Sequence, residues 1–195
     1  MNRTNHQPLG QKTLVGANVQ VCAVGDAKAV TADSPALEVM TDLRKIPAAS
    51  VSPSMRIHDV HQAMILRGVR LLFVADGDQV LGVVTSADLL GERPMTVARG
   101  RGIRVDELMA EQVMTPLSSV EAVSFDEMNH AEVGHVVATL QRSGRQHALV
   151  VEDLADGIVI RGIFSASQIA RQMGVPMIQT EIARTFAEIE AAIAS

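Results

Sequence analysis

The chain states its pattern twice. Val39-Met40-Thr41 returns 74 residues later as Val113-Met114-Thr115, and each copy is followed by the same succession of apolar patterns. An internal repeat restricts the fold more than any other feature here. Two copies that cannot each cover their own apolar faces must cover them against one another. In the first copy a short β-rich run (48–53) precedes an amphipathic helix (57–68) and two strands (70–76 and 79–85). In the second, the corresponding pieces are 121–125, 131–144, 147–153 and 158–165. Val60, Ala63 and Met64 share one helical face, as do Val133, Val136, Val137 and Leu140. Gly68 and Gly144 stand where each helix should stop. The runs Leu71 to Val74 and Ala148 to Val151 are continuously apolar, the mark of strands covered on both faces. Asp76-Gly77-Asp78 and Asp156-Gly157 are hairpin turn signals. Each copy closes on a similar phrase, Gly82-Val83-Val84-Thr85 in one and Gly162-Ile163-Phe164-Ser165 in the other.

The expected fold is therefore α/β, two β-α-β-β-α units packed as one body. The expected segments are an N-terminal extension (1–35), unit 1 (36–93), a flexible basic linker (94–104), unit 2 (105–174) and a C-terminal amphipathic helix (175–195). Val19, Val21 and Ala23 alternate and read as an added strand. Ile178, Ile182, Phe186, Ile189 and Ile193 form one helical stripe that needs a cover.

Composition excludes several classes of function. With a net charge of −5, the chain lacks the basic face that nucleic acid or an anionic membrane surface demands. Four Phe with no Trp or Tyr leave no stacking platform for single strands. The single cysteine, Cys22, allows no internal disulfide and reads as a small buried residue in an apolar run. No apolar run approaches the roughly 18 residues of a membrane span, and a cytoplasmic location is expected. Catalysis is not expected, since no serine or cysteine has a recognisable base partner, and Gly10, Gly16 and Gly25 are too widely spaced for a phosphate loop. His58 and His61, or His130 and His135, have Asp59 and Glu132 nearby, but nothing makes them converge on a metal.

The ordered pair of units, above all GVVTSADLL (82–90), RLLFVAD (70–76) and HALVVED (147–153), resembles a tandem CBS-domain protein, or Bateman module, over residues 36–174. The resemblance implies units related by a pseudo-twofold axis, with up to two clefts for adenosine-containing ligands. It also implies a free-standing, non-enzymatic regulatory module that senses a nucleotide and biases self-association or the activity of an unidentified partner. The ligand class is an adenine nucleotide (AMP, ADP or ATP), no cofactor is required, and a homodimer is the simplest assembly. The alternative is a structural scaffold with empty clefts.

Thr85 would sit at a helix entrance with Asp88 one turn in. An ionised carboxylate can accept both ribose hydroxyls, and a helix start offers N–H groups to a phosphate. The same T-x-x-D also writes a capping box, which needs no ligand. Carried over by position, the resemblance places Thr85 and Asp88 opposite Val123, Arg145, Gln146 and His147, with Val84 as an apolar wall. A second site would use Ser165 and Gln168, with Phe164, Ala49, Val69 and Arg70. There Gln168 replaces the family's aspartate, so that site is expected to be degraded. Arg70 and Arg145 follow helix ends, where an arginine either complements the helix dipole or forks onto a phosphate.

Overall fold

The computed structural model describes residues 30–175, so the added strand expected near Val19, the environment of Cys22 and the stripe from Ile178 to Ile193 lie outside the described residues. In unit 1, β2 (Ser50–Val51) leads through α1 (Ile57–Arg67) to β3 (Leu71–Asp76), and a tight turn leads to β4 (Gln79–Thr85) and α2 (Ser86–Leu90). In unit 2 the same path runs β6 (Ala122–Ser124), α5 (Val133–Ser143), β7 (His147–Leu154), β8 (Gly157–Ser165) and α6 (Ala166–Gln172). The first two strands of each unit are parallel and the next pair antiparallel. A helical crossover is what a parallel pair requires, and a two-residue turn suffices for an antiparallel one. Gly68 and Gly144 end α1 and α5 in the left-handed region, with φ of 64° and 62°.

The leading strands are exchanged. β1 (Thr41–Asp42), from the first copy's V-M-T, pairs with β8 of unit 2, and β5 (Thr115–Pro116), from the second copy's, pairs with β4 of unit 1. The two sheets thus have the equivalent orders β1-β8-β7-β6 and β5-β4-β3-β2. The segments before these strands cross as well. Ala110 and Ile57 exchange backbone bonds with the Met55 and Leu108 carbonyls, and Ala36 and Val133 do so with Ala131 and Ser34. The boundaries 36–93 and 105–174 therefore describe the repeat in sequence but not the packed units. Val39 and Met40 lie in the core of unit 2, and Leu108, Ala110 and Val113 in that of unit 1.

The exchange depends on two glycines. A Cβ on Gly82 would lie 2.4 Å from the Thr115 carbonyl oxygen, and one on Gly162 would lie 2.6 Å from Met40 Sδ. Each closing phrase thus begins with glycine because the other copy's V-M-T lies against it.

The stretch expected as a flexible linker is instead α3 (Arg93–Arg101), with Pro94 and Ala98 buried. Its apolar positions are few, but they face the unit 1 core alongside Leu108 and Val113, and Gly102 ends it at φ 66°. Proline at the second helical position and the αL glycine make this polar sequence a helix once one face is covered.

Period-two alternation sorts the continuous strands between two environments. Leu72, Val74 and Val84 pack beneath the helices of unit 1. Leu71, Phe73 and Val83 face the other way and meet Leu149, Ile160 and Ile163 of unit 2. Each sheet is covered on both sides, by helices and by the other sheet, so the runs carry no polar break.

Candidate functional site

A cleft of about 200 Å³ opens where the two units meet at the C-terminal end of β4. Unit 1 supplies Leu71, Val83, Thr85, Ala87 and Asp88, the exchanged strand supplies Thr115, and unit 2 supplies Val120, Glu121, Arg145, Gln146, His147 and Leu149. Of the residues expected at the first site, Thr85, Asp88, Arg145, Gln146 and His147 line one cavity. A second groove of about 370 Å³ adjoins it and shares Glu121, Arg145 and His147.

The helix start at Thr85 is a complete capping box. Thr85 N–H donates to Asp88 Oδ2 at 2.9 Å, and Thr85 Oγ1 donates to the same oxygen at 2.7 Å. Asp88 N–H returns a bond to Thr85 Oγ1 at 3.2 Å. Ser86 N–H is also taken, donating to the Arg70 carbonyl at 2.9 Å. The helix start therefore keeps little N–H capacity for a phosphate, contrary to the expectation from sequence. The other carboxylate oxygen, Asp88 Oδ1, accepts from Arg93 Nη1 at 3.0 Å. Arg93 also donates to Thr115 Oγ1 at 3.1 Å and to the Met114 carbonyl at 2.7 Å. Arg93 and Thr115 escaped the sequence reading. Arg93 closed unit 1 at the edge of the apparent linker and matched no motif, although the recurring V-M-T had already marked Thr115.

His147 is half-buried beside Asp88 and Arg70. Burial, and next the positive charge of Arg70, push its pKa down to about 4, while Asp88 pulls the other way. The imidazole is therefore neutral at pH 7. It can donate through one nitrogen and accept through the other.

Several expected residues are placed elsewhere. Val84 is fully buried beneath the unit 1 helices, and its neighbour Val83 forms the cleft wall. The alternation of β4 puts successive side chains on opposite faces, so only one of the two can face the cleft. Val123 packs toward the unit 2 core and lines the adjoining groove, while Val120 and Glu121 line the cleft itself. Arg70 bears on His147 in the first cleft.

The residues expected at a second site are engaged within the protein. Gln168 Oε1 accepts from Thr41 Oγ1 at 3.0 Å, and the Ser165 and Ser167 hydroxyls bond each other at 3.0 Å. Phe164 is 1% exposed, in the unit 2 core. Ala49 and Val69 pack on the unit 1 core, and the Ala49 carbonyl accepts from Phe73 N–H.

The family model for the CBS domain matches residues 36–94. That stretch matches the CBS domain, and the second unit repeats its topology. Among solved structures, an uncharacterized conserved protein from Pyrococcus horikoshii shares 20% identity at a TM-score of 0.52, covering 78% of this chain and 100% of that one. CBSX2, a CBS-pair protein of Arabidopsis thaliana, has been solved in complex with AMP; in that complex it is 22% identical at a TM-score of 0.49, covering 73% of this chain and 94% of its own. A CBS-domain protein of unknown function from Thermoplasma acidophilum is 18% identical at 0.49, over 80% and 78%. No curated protein matches the chain. Among the described residues, no helix is long and apolar enough to cross a membrane.

Proposed function

We propose that this is a non-enzymatic regulatory module whose inter-unit cleft binds an adenine nucleotide, and that occupancy biases its contacts with itself or with a partner protein. The observation that carries this reading is the convergence, in one cavity, of an acceptor carboxylate (Asp88) with a neutral histidine and an arginine (His147 and Arg145) from the other unit. Leu71, Val83, Val120 and Leu149 give apolar walls for a base. Asp88 is the acceptor for ribose hydroxyls. Pockets for drug-sized ligands run from roughly 300 to 1,000 Å³. The enclosed 200 Å³ therefore suits part of a nucleotide, with phosphates leaving past Arg145 toward the adjoining groove. Because that ligand touches both units, it binds their relative arrangements unequally, which is what a regulatory effect requires.

The test begins with the purified protein, denatured and filtered. Lacking Trp and Tyr, the chain contributes little ultraviolet absorption, so a 260 nm band in the filtrate identifies a bound nucleotide. Calorimetric titration with AMP, ADP and ATP follows, AMP first because CBSX2 was solved with it. The wild type is expected to bind, and Asp88→Asn to bind about tenfold or more weakly, as loss of hydrogen bonds to a charged acceptor entails. A dark filtrate and no heat with any of the three would leave the scaffold reading in its place, with Asp88 serving its capping box alone.

A further inference from the structure

Counting lone pairs at Asp88 shows an obstacle to the ligand just proposed. Oδ2 already accepts two hydrogen bonds, from Thr85 N–H and Thr85 Oγ1, and Oδ1 accepts one from Arg93. A carboxylate has about four lone-pair sites. One remains, whereas a ribose diol presents two hydroxyls. The Thr85 bonds belong to the capping box and hold the start of α2. The Arg93 bond comes from a side chain 38% exposed to solvent, so it is the contact that can yield.

Resting on that nucleotide reading, we propose that Arg93 is a latch: the ribose takes its place on Asp88 Oδ1, and its release frees the exchanged segment Met114–Thr115. The fork of Arg93 is what joins the two events. Nη1 serves Asp88 and Thr115 at once, and Nη2 holds the Met114 carbonyl. A guanidinium drawn off Asp88 cannot keep this three-point geometry, so occupancy of the cleft loosens the strand that β4 borrows from the other copy.

The second unit carries the same tie in a form that cannot be unlatched this way. Gln168, the counterpart of Asp88, accepts directly from Thr41 Oγ1, and Thr41 is the counterpart of Thr115. The position corresponding to Arg93 is Met173, which packs against the unit 2 core. Both units therefore bind their helix start to the borrowed threonine. Only unit 1 does so through a removable cation placed on the ligand's own acceptor.

The experiment titrates AMP into wild type, Arg93→Met and Arg93→Lys by calorimetry, with amide hydrogen exchange of residues 113–116 followed in the free and AMP-bound forms. Wild type is expected to lose protection at 113–116 when AMP binds. Arg93→Met should bind AMP about fivefold or more tightly and show the loosened segment before ligand is added, while Arg93→Lys, which cannot fork, falls between. If wild type binds AMP but Arg93→Met binds equally or more weakly, or if protection at 113–116 does not change on binding, the latch is wrong and the nucleotide reading stands. If none of the three binds AMP, ADP or ATP, both fall together.

Discussion

Set side by side, the two units solve one packing problem with different chemistry. Both sheets bulge at the same place. The register steps from Val74↔Gly82 to Ala75↔Val80 in unit 1 and from Val150↔Gly162 to Val151↔Ile160 in unit 2, leaving Leu81 and Arg161 unpaired. Beside the bulge lies the borrowed strand, with Pro116 paired to Gly82 in one case and Asp42 to Gly162 in the other. Unit 1 therefore has an apolar residue and a proline where unit 2 has a buried ion pair. Arg161 forks onto both Asp42 oxygens, stacks 4.8 Å over the Phe125 ring and places Nε 3.3 Å from Glu152, which also binds Arg44 at 2.7 Å. The Arg161 hydrogen bond holds the Asp42 carboxyl below its ordinary pKa, against the opposing effect of partial burial. Unit 2 grips its borrowed strand by charge at the bulge and by Gln168 at the helix start. Unit 1 grips its own through Arg93, on the acceptor that faces the cleft. The difference teaches that the repeat preserves geometry while letting each half hold its borrowed strand by different chemistry.

Substitutions can break this comparison, the glycines hardest. Gly82→Ala drives a methyl against backbone, the Thr115 oxygen at 2.4 Å, and should cost about 3 kcal/mol or more in denaturant melts. Gly162→Ala meets first the Met40 thioether, a flexible side chain that can move, and should cost about 1–2 kcal/mol. Equal losses would mean that the two crossings are equally rigid. Next in size, Asp42→Ala removes the forked partner of Arg161, whose side chain is 10% exposed, and leaves it only Glu152 at Nε, so it should lower Tm more than Arg161→Leu does. The double change Asp42→Pro with Arg161→Leu copies the unit 1 pair and should recover much of the loss. If it melts as low as Asp42→Ala, the units are not interchangeable at the bulge.

The cleft histidine gives a pH-dependent contrast. His147 stands where unit 1 has Leu71, each paired with the residue just before the next helix. Its pKa is about 4 in the folded protein against 6.5 as the ordinary value, so the unfolded chain binds more protons between these limits. Stability is full above pH 6.5, declines as pH falls toward 4 and is flat in this contribution below that. The decline amounts to about 3 kcal/mol at most. His147→Leu should flatten the profile across that window, and an unchanged slope would place its origin elsewhere. Asp42 acts separately, its contribution being lost at still lower pH because its pKa is depressed below 3.8. Smallest is the capping contrast. Thr85→Ala should cost about 1 kcal/mol, because Thr85 is a capping residue with bonds in both directions, whereas Ser165 makes no cap bond and Ser165→Ala should be near neutral.

Much of the fold could be read from local pattern. Both helices of the crossover type, both long hairpins and the αL glycines Gly68 and Gly144 fall where periodicity and turn residues placed them, within a residue or two. In the cleft, Thr85 and Asp88 lie together because a strand end and the following helix start are adjacent in sequence, whereas their meeting with Arg145, Gln146 and His147 was implied by the family resemblance and by no local pattern. Val84 was misjudged because alternation names two faces without saying what covers each. The helix at Arg93–Arg101 was missed because its polar sequence forms a helix only against a core supplied by other segments. Arg93 itself carried no signal, since its partners Asp88 and Thr115 lie 5 and 22 residues away.

The sequence by itself determined the repeat, the elements within each copy and the need for two sheets to share a core, because these follow from backbone geometry and from where apolar residues recur. Only the tertiary structure decided which unit each V-M-T strand joins, which face of β4 looks into the cleft and which cation sits on Asp88. Those choices rest on contacts between segments far apart in the chain, where a glycine without a side chain, a bulge and a forked guanidinium fit one partner surface and no local rule names the partner.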